Sequence, residues 1–412
     1  MKQIMERHNE YLLRAGLCLV IVMIPFKPVW GSYTLILLSA IELYCLIRQK
    51  KWERPPTLFF LIALLFVVRL VGVLWTPDLK NAGRLETEIP LLVIPLILSF
   101  SRPSQETIQF ALRVFVSMTL AIILYSFVHL ASYIAHSGYT LSEYIDVHFV
   151  TAQYYAQLNM LTWDFAHYSF LSVMIIYALH ITIYSNKGGA WHWVFIIAFN
   201  GLALLFFIFT GSLAGQALFV ISWVTYACVK LRRFFSVKLI AAFVVIGIVS
   251  ATWLIATPSG RRYLETKDIQ RYHYTIVSLD AIKERPLFGH GTGATKAIIQ
   301  DSLRAARLGF DGNVYEGKDA NHPHNQYLTE AIQFGVIGMI PLLLFLGVSF
   351  YEACSRRNWT LLCIIVTLGF FMLVESPINS NKGVVPFVLL VCLLSYGKNG
   401  IPESKPTPKI KA

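Results

Sequence analysis

The sequence predicts an all-α fold: a polytopic membrane helical bundle of about twelve transmembrane helices with one large extracytoplasmic loop between the ninth and the tenth. Three observations lead there. The chain is 56% hydrophobic and only 14% charged. Apolar runs of roughly 16 to 25 residues, long enough to cross a hydrocarbon core of about 30 Å as helices, recur from end to end. Basic residues gather at alternate connections between those runs, as they do on the cytoplasmic side of multi-pass proteins. A closed β-barrel is excluded, because its strands alternate and give no such continuous apolar blocks.

The runs fall at 11–26, 29–47, 57–76, 89–101, 108–134, 165–184, 192–210, 213–230, 237–256, 326–350, 359–374 and 384–397. The first follows Lys2 and Arg7 as a signal peptide would, but it leads into Phe26-Lys27-Pro28 without a small-residue cleavage site and reads as a retained helix. Four regions result. Residues 1–256 hold transmembrane helices 1–9, residues 257–325 form an extracytoplasmic loop with short amphipathic helices, and residues 326–397 hold helices 10–12. Residues 398–412, with Pro402, Pro406, Pro408 and several lysines, read as a disordered cytoplasmic tail.

With both termini in the cytoplasm, the cytoplasmic connections carry Arg48, Lys50, Lys51 and Arg54, then Arg102, Lys187, the group Lys230, Arg232, Arg233 and Lys238, then Arg356 and Arg357, and finally the tail lysines. The opposite connections are Asp78 to Glu88, Ser137 to Asp164, the tight hairpin at Gly211-Ser212, the segment 257–325, and Glu375 to Lys382. This topology, together with attraction to anionic lipid, accounts for most of the formal charge of +12. A nucleic-acid partner would need basic residues interleaved with aromatics on a soluble face, and the sequence shows none.

All six cysteines fall in or next to apolar runs, so neither a disulfide-stapled ectodomain nor a metal-ligand spacing is present, and no metal or cofactor is expected. Inspection finds no internal repeat, which weighs against a transporter built from inverted halves.

Three places carry candidate chemistry, all on the same predicted side. The first is Arg271 to Pro286, where Tyr274, Val277 and Ala281 recur at helical spacing and indicate a short amphipathic helix lying on the bilayer. Arg271, Thr275 and Ser278 would then share a face. A guanidinium, always charged and offering paired donors, suits a diphosphate; it equally suits an interfacial side chain that snorkels. The alternating glycines of Gly289-His-Gly-Thr-Gly293 look like a phosphate cradle, but without a preceding strand they read as a turn.

The second place is His322-Pro323-His324-Asn325. Proline is favoured in a helix's first turn, which puts His322 near an N-cap and His324 just inside the next helix, where the dipole favours a neutral imidazole fit for general-base work. The competing reading is a pair of polar residues at a membrane interface. The third place is Asp164-Phe-Ala-His167-Tyr168-Ser169 at the start of a membrane helix. Asp164 and His167, three apart, can touch on a helix surface, or Asp164 can simply cap it. Arg69 inside the third run, and Arg84 with Glu86 and Glu88 before the fourth, are further polar groups on this side.

These motifs, Arg271-x-x-Tyr274, Ile282-Lys-Glu-Arg-Pro-Leu-Phe-Gly-His-Gly291, Pro323-His-Asn-Gln-Tyr-Leu328 and Phe334-Gly-Val-Ile-Gly338, closely resemble the O-antigen ligase and O-antigen polymerase superfamily, and most closely the ligases. The resemblance covers the whole chain in topology, with its specific motifs between residues 271 and 338. It implies a bacterial inner-membrane enzyme that transfers a glycan from undecaprenyl diphosphate at the periplasmic face, without a metal or a nucleotide sugar. His324 then matches the family's essential histidine before Asn, and Arg271 its diphosphate-holding loop arginine. Asp164 and His167 correspond more loosely to a polar pair at the start of the sixth helix, and Tyr168, His322 and Asn325 beside these groups are further substrate-binding candidates.

One departure stands out. Many relatives carry an arginine just after the hairpin between the seventh and eighth helices, where this chain reads Thr210-Gly211-Ser212-Leu213. Backbone N–H groups there, with the Ser212 hydroxyl, remain available in principle to phosphate, and Arg84 or Arg69 are candidates for the missing charge. The acceptor is left open by the motifs: the ligase reading implies lipid A-core, the polymerase reading another lipid-linked repeat unit, and a third a protein serine or threonine. From a different class, a flippase for a lipid-linked sugar would place ionisable groups at the midplane, whereas here they gather on one side.

Overall fold

The computed structural model describes residues 2–26, 28–49, 55–77, 83, 85–138, 140, 143, 167–184, 189–230, 269–305 and 323–396. The expected helix at 237–256, the tail 398–412, Arg84, Asp164 and His322 lie outside them. All the regular structure among the described residues is helical. In chain order the helices are α1 (Lys2–Met23), α2 (Pro28–Gln49), α3 (Thr57–Gly72, continued by a 3-10 turn Val73–Trp75), a single turn Leu85–Glu88, α4 (Pro90–Ser101), α5 (Gln105–Ser137), α6 (Tyr168–Tyr184), α7 (Ala190–Phe209), α8 (Leu213–Lys230), α9 (Ile269–Glu284), α10 (Thr295–Ala305), α11 (Gln326–Ser355), α12 (Trp359–Phe371), a 3-10 turn Pro377–Asn379, and α13 (Asn381–Ser395).

Five of these are long and apolar enough to cross a membrane: Thr57–Trp75, Gln105–Ser137, Ala190–Phe209, Leu213–Lys230 and Gln326–Ser355. Helices α6 and α13 are shorter but buried on nearly every side. A helix that is apolar all round belongs inside a bundle, and here α6 is wrapped by α5, α8 and α12, while α13 packs on α4 and α12. Helices at the rim behave oppositely. Trp191, Ile197 and Val220 of α7 and α8 point outward, as side chains facing lipid do.

Chain ends sort to two ends of the bundle. At one, Arg14 donates to Thr107 and pairs with Glu106, Gln105 donates to the Tyr396 carbonyl, and Asn358 donates to that of Leu394. At the other lie the end of α3, the turn 85–88, the start of α6, the 210–213 hairpin, the start of α11 and the 372–380 connection, joined by the contacts described in the next subsection. Connections assigned by the basic-residue pattern to the extracytoplasmic side thus meet one another. Capping sets several boundaries: Ser104 Oγ accepts from Thr107 N at 3.2 Å and Asn358 Oδ1 from Leu361 N at 3.1 Å.

The periodicity of Tyr274, Val277 and Ala281 does produce a helix, α9, with that face buried. The face does not lie on the bilayer, however. It packs against Ile299 and Leu303 of α10 and Ile332 of α11, forming a small second core. Periodicity alone cannot tell a lipid from a protein neighbour, since both satisfy an apolar stripe.

Candidate functional site

Helix α11 begins at Gln326, with Asn325 as its N-cap: Asn325 Oδ1 accepts from Leu328 N at 3.1 Å. This corrects the placement of His324 inside the helix. Pro323 and His324 precede the cap, and His324 has a positive φ of 50°, a conformation that β-carbon sterics disfavour. The turn lifts the imidazole away from the helix, toward the 372–380 connection. There His324 Nδ1 lies 3.3 Å from Glu375 Oε2, with the histidine side chain 34% exposed and the carboxylate buried.

Two further groups complete this cluster. The His324 ring stacks on Tyr274 of α9, centroids 6.1 Å apart and planes 21° apart. Glu375 Oε1 accepts from Ser169 Oγ at 3.1 Å, and Ser169 Oγ lies 2.8 Å from His167 Nδ1. The structure thus brings His324 and His167 onto one carboxylate, directly and through a serine. Tyr168 stacks obliquely on His167 at 4.0 Å. Arg271 is exposed on α9, three residues before Tyr274, so one helical turn separates it from the ring that stacks on His324.

The Pro286–Gly293 segment is a splint for a broken helix. At Gly335 (φ 62°, ψ −162°) α11 leaves helical geometry, which strands carbonyls before the break and N–H groups after it. The loop satisfies both. His290 N and Gly291 N donate to the carbonyls of Ile332 and Gln333 at 2.9 and 2.8 Å, while Val336 N and Ile337 N donate to those of Pro286 and Leu287 at 2.8 and 3.2 Å. A Cβ on Gly335 would lie 2.4 Å from the Leu287 carbonyl carbon, and one on Gly289 the same distance from that of Gln333. Two backbones approach here as only glycine permits. The N–H groups of Gly289 through Gly293 are spent on the Arg285 carbonyl, on α11 and on the Gly72 carbonyl of α3, so the turn reading holds and the phosphate-cradle reading does not.

The loop also grips α3: Trp75 Nε1 donates to Phe288 O at 3.1 Å, and Thr292 Oγ1 donates to Arg69 O. Arg69 itself does not face the cluster's open side. It is 1% exposed, its Nε 3.0 Å from Glu88 Oε2, with Nη2 bonded to Glu330 Oε1, Nη1 donating to Leu65 O at 2.8 Å, and Cζ over the Phe334 ring at 5.5 Å. The expectation that Arg69 supplies charge to a bound diphosphate gives way to a buried ion cluster, because two carboxylates claim the guanidinium.

Ser212 is likewise committed. Fully buried, its Oγ accepts from Gly215 N at 3.0 Å as an N-cap of α8 and lies 2.9 Å from Ser172 Oγ, one turn along α6 from Ser169. Its neighbour Leu213 is 73% exposed. The hairpin therefore stands beside the cluster and offers a side chain, but that side chain is apolar. Among the described residues no group of three or more His, Cys, Asp or Glu is arranged to hold a metal ion.

Sequence reasoning missed Glu375 and Gln326. Glu375 carried one signal, a carboxylate at the end of an apolar run on the same side as His324; Gln326 carried only its place within the Pro323 to Leu328 motif.

Comparison with known proteins converges on the same stretch. Residues 198–346 match the O-antigen ligase family, a span that takes in the 210–213 hairpin, α9, the glycine-rich splint and His324 and stops before Glu375. An uncharacterized protein of Haemophilus influenzae is 24% identical over 449 aligned positions, which cover 95% of this chain and 100% of the relative.

Proposed function

We propose, for this multi-pass membrane glycan enzyme of the O-antigen ligase superfamily, that His324 is the general base of a metal-independent glycosyl transfer from an undecaprenyl diphosphate-linked glycan to a lipid A-core hydroxyl. The observation that carries this reading is the Glu375–His324 contact at the rim of the bundle. With Nδ1–H donated to Glu375, Nε2 holds the imidazole lone pair, and a carboxylate behind an imidazole both fixes the tautomer and stabilises the imidazolium. As the acceptor oxygen attacks the anomeric carbon, its proton passes to Nε2. The bond from that carbon to the phosphate oxygen breaks, and the diphosphate leaves with the electron pair.

Attack opposite the leaving group inverts the anomeric carbon. Charge developing on the departing diphosphate is the main electrostatic demand, and exposed Arg271 next to a low-dielectric interface is placed to meet it. The polyprenyl tail would lie among the apolar rim helices. This reading sets the cluster on the periplasmic side of the inner membrane and both termini in the cytoplasm, in line with the alternation of basic connections.

Purified protein incubated with the lipid-linked glycan and lipid A-core tests it. Transfer that is lost in both His324→Ala and Arg271→Ala is the expected result, and near-normal transfer in both would remove the assignment. The acceptor is read from the lipopolysaccharide of a null strain: glycan polymer left on the carrier indicates a ligase, single repeats on a finished core a polymerase. Movement of the carrier across liposomes with no new glycosidic bond would instead indicate a flippase.

A further inference from the structure

We propose that Gln326 is a positioning residue that sets the Glu375–His324 geometry by clamping both ends of the segment that carries Glu375. Gln326 is the first residue of α11, two after His324, and fully buried. Its backbone N donates to Met372 O at 2.8 Å, three residues before Glu375. Its side chain holds the other end: Oε1 accepts from Ile378 N at 3.0 Å, three residues after Glu375, and Nε2 donates to Asn379 Oδ1 at 2.9 Å. Between them Thr329 Oγ1 meets Ser376 Oγ at 3.1 Å. The connection is irregular and has no sheet or long helix to hold it, so its shape depends on these bonds.

The orientation of the amide is fixed. Nε2 also donates to Glu330 Oε1 at 2.8 Å, so a flipped amide would put a carbonyl oxygen against a carboxylate and an N–H against the Ile378 N–H. Asn379 is fixed in turn by Nδ2 donating to Glu88 Oε1 at 2.7 Å, and Arg69 joins Glu88 to Glu330. Five side chains, Arg69, Glu330, Gln326, Asn379 and Glu88, all buried except the half-buried Asn379, thus close a ring that ties α3 and α11 to the connection holding Glu375. His324 hangs from α11 by the Asn325 cap, so a shift of this connection changes the dyad distance directly.

This inference rests on the transferase reading, and a double-mutant cycle separates the two. In Gln326→Met, kcat for transfer is expected to fall by about tenfold to a hundredfold, with KM for the lipid-linked donor within about twofold, as for a misplaced catalytic pair. In a Glu375→Ala background the same change is expected to cost less than about twofold more, because a residue acting through Glu375 has nothing left to position. Additive effects, or an unchanged kcat, would overturn the proposal. Should Gln326→Met not yield folded protein, Asn379→Ala takes its place under the same criteria. A second readout needs no turnover: 15N spectra of the His324 ring report its tautomer. Loss of the Nδ1–H form in both Gln326→Met and Glu375→Ala supports the clamp even if the wild type transfers no glycan, which would sink the transferase reading alone. An unchanged tautomer in Gln326→Met sinks the clamp.

Discussion

Glu375 Oε2 and His324 Nδ1 meet at 3.3 Å across 51 residues of chain, so that the connection after α12 supplies the carboxylate for a histidine that precedes α11. In the proposed mechanism the pair holds the His324 proton on Nδ1. If the carboxylate stabilises the imidazolium that forms during transfer, its removal has to slow the chemical step and leave donor binding largely intact.

Glu375→Gln keeps the shape and removes the charge. The expected loss in kcat is on the order of a hundredfold or more, with His324→Ala at least as severe and the double variant no worse than His324→Ala alone. Rates with purified protein under saturating donor check this. A rise in KM matched by an equal fall in kcat/KM, with kcat preserved, would assign Glu375 to binding.

Arg271 is exposed, so its replacement should spare the fold. Arg271→Ala is expected to leave the thermal midpoint in detergent unchanged while raising donor KM or lowering kcat by about tenfold or more, and Arg271→Lys to recover only part of it, since a point charge lacks the paired donors of a guanidinium. A lysine variant with full activity would indicate simple charge attraction.

Arg69 should behave in the opposite way. Arg69→Ala leaves Glu88 and Glu330 buried without their cation, a defect of about 3–5 kcal/mol. Arg69→Met combined with Glu88→Gln and Glu330→Gln removes charge from both sides and is expected to recover most of that stability. Thermal unfolding of the solubilised variants decides it. If Arg69→Ala is stable but its donor KM rises, the arginine faces the substrate after all.

Gly335 combines a positive φ with surroundings so close that an added Cβ would lie 2.4 Å from the Leu287 carbonyl carbon. Gly335→Ala is therefore expected to destabilise the protein by at least about 2 kcal/mol. Because the splint also holds Phe288 and Thr292 against α3 and the turn that continues it, hydrogen exchange at His290 and Gly291 should accelerate with it. Protected amides at those two positions in the variant would mean that the loop holds its place without the close glycine contact.

Much of the architecture was legible in the chain. Apolar length marks the helices because a lipid-facing backbone must bond to itself, and basic residues at alternate connections sort the ends. The stripe Tyr274, Val277 and Ala281 is local and so announced α9; the glycines from 289 to 293 announced a turn. Arg271 and the pair His322 and His324 were visible as types whose chemistry suits a phosphate and a proton, and only the family resemblance singled out His324.

What the tertiary structure alone decided is which polar groups meet. Arg69, a cation inside an apolar run, is held by a carboxylate 261 residues away, and Glu375, in an unremarkable connection, turns out to face His324. The Asn325 cap, rather than the proline, set where α11 starts, and Gly289 required Gly335 only because two distant backbones touch. Periodicity and composition report the burial of each segment, which depends on a residue and its near neighbours. Ion pairs, caps shared between segments and backbone contacts across long loops depend on which segment folds against which, and that choice is made by packing of the whole bundle.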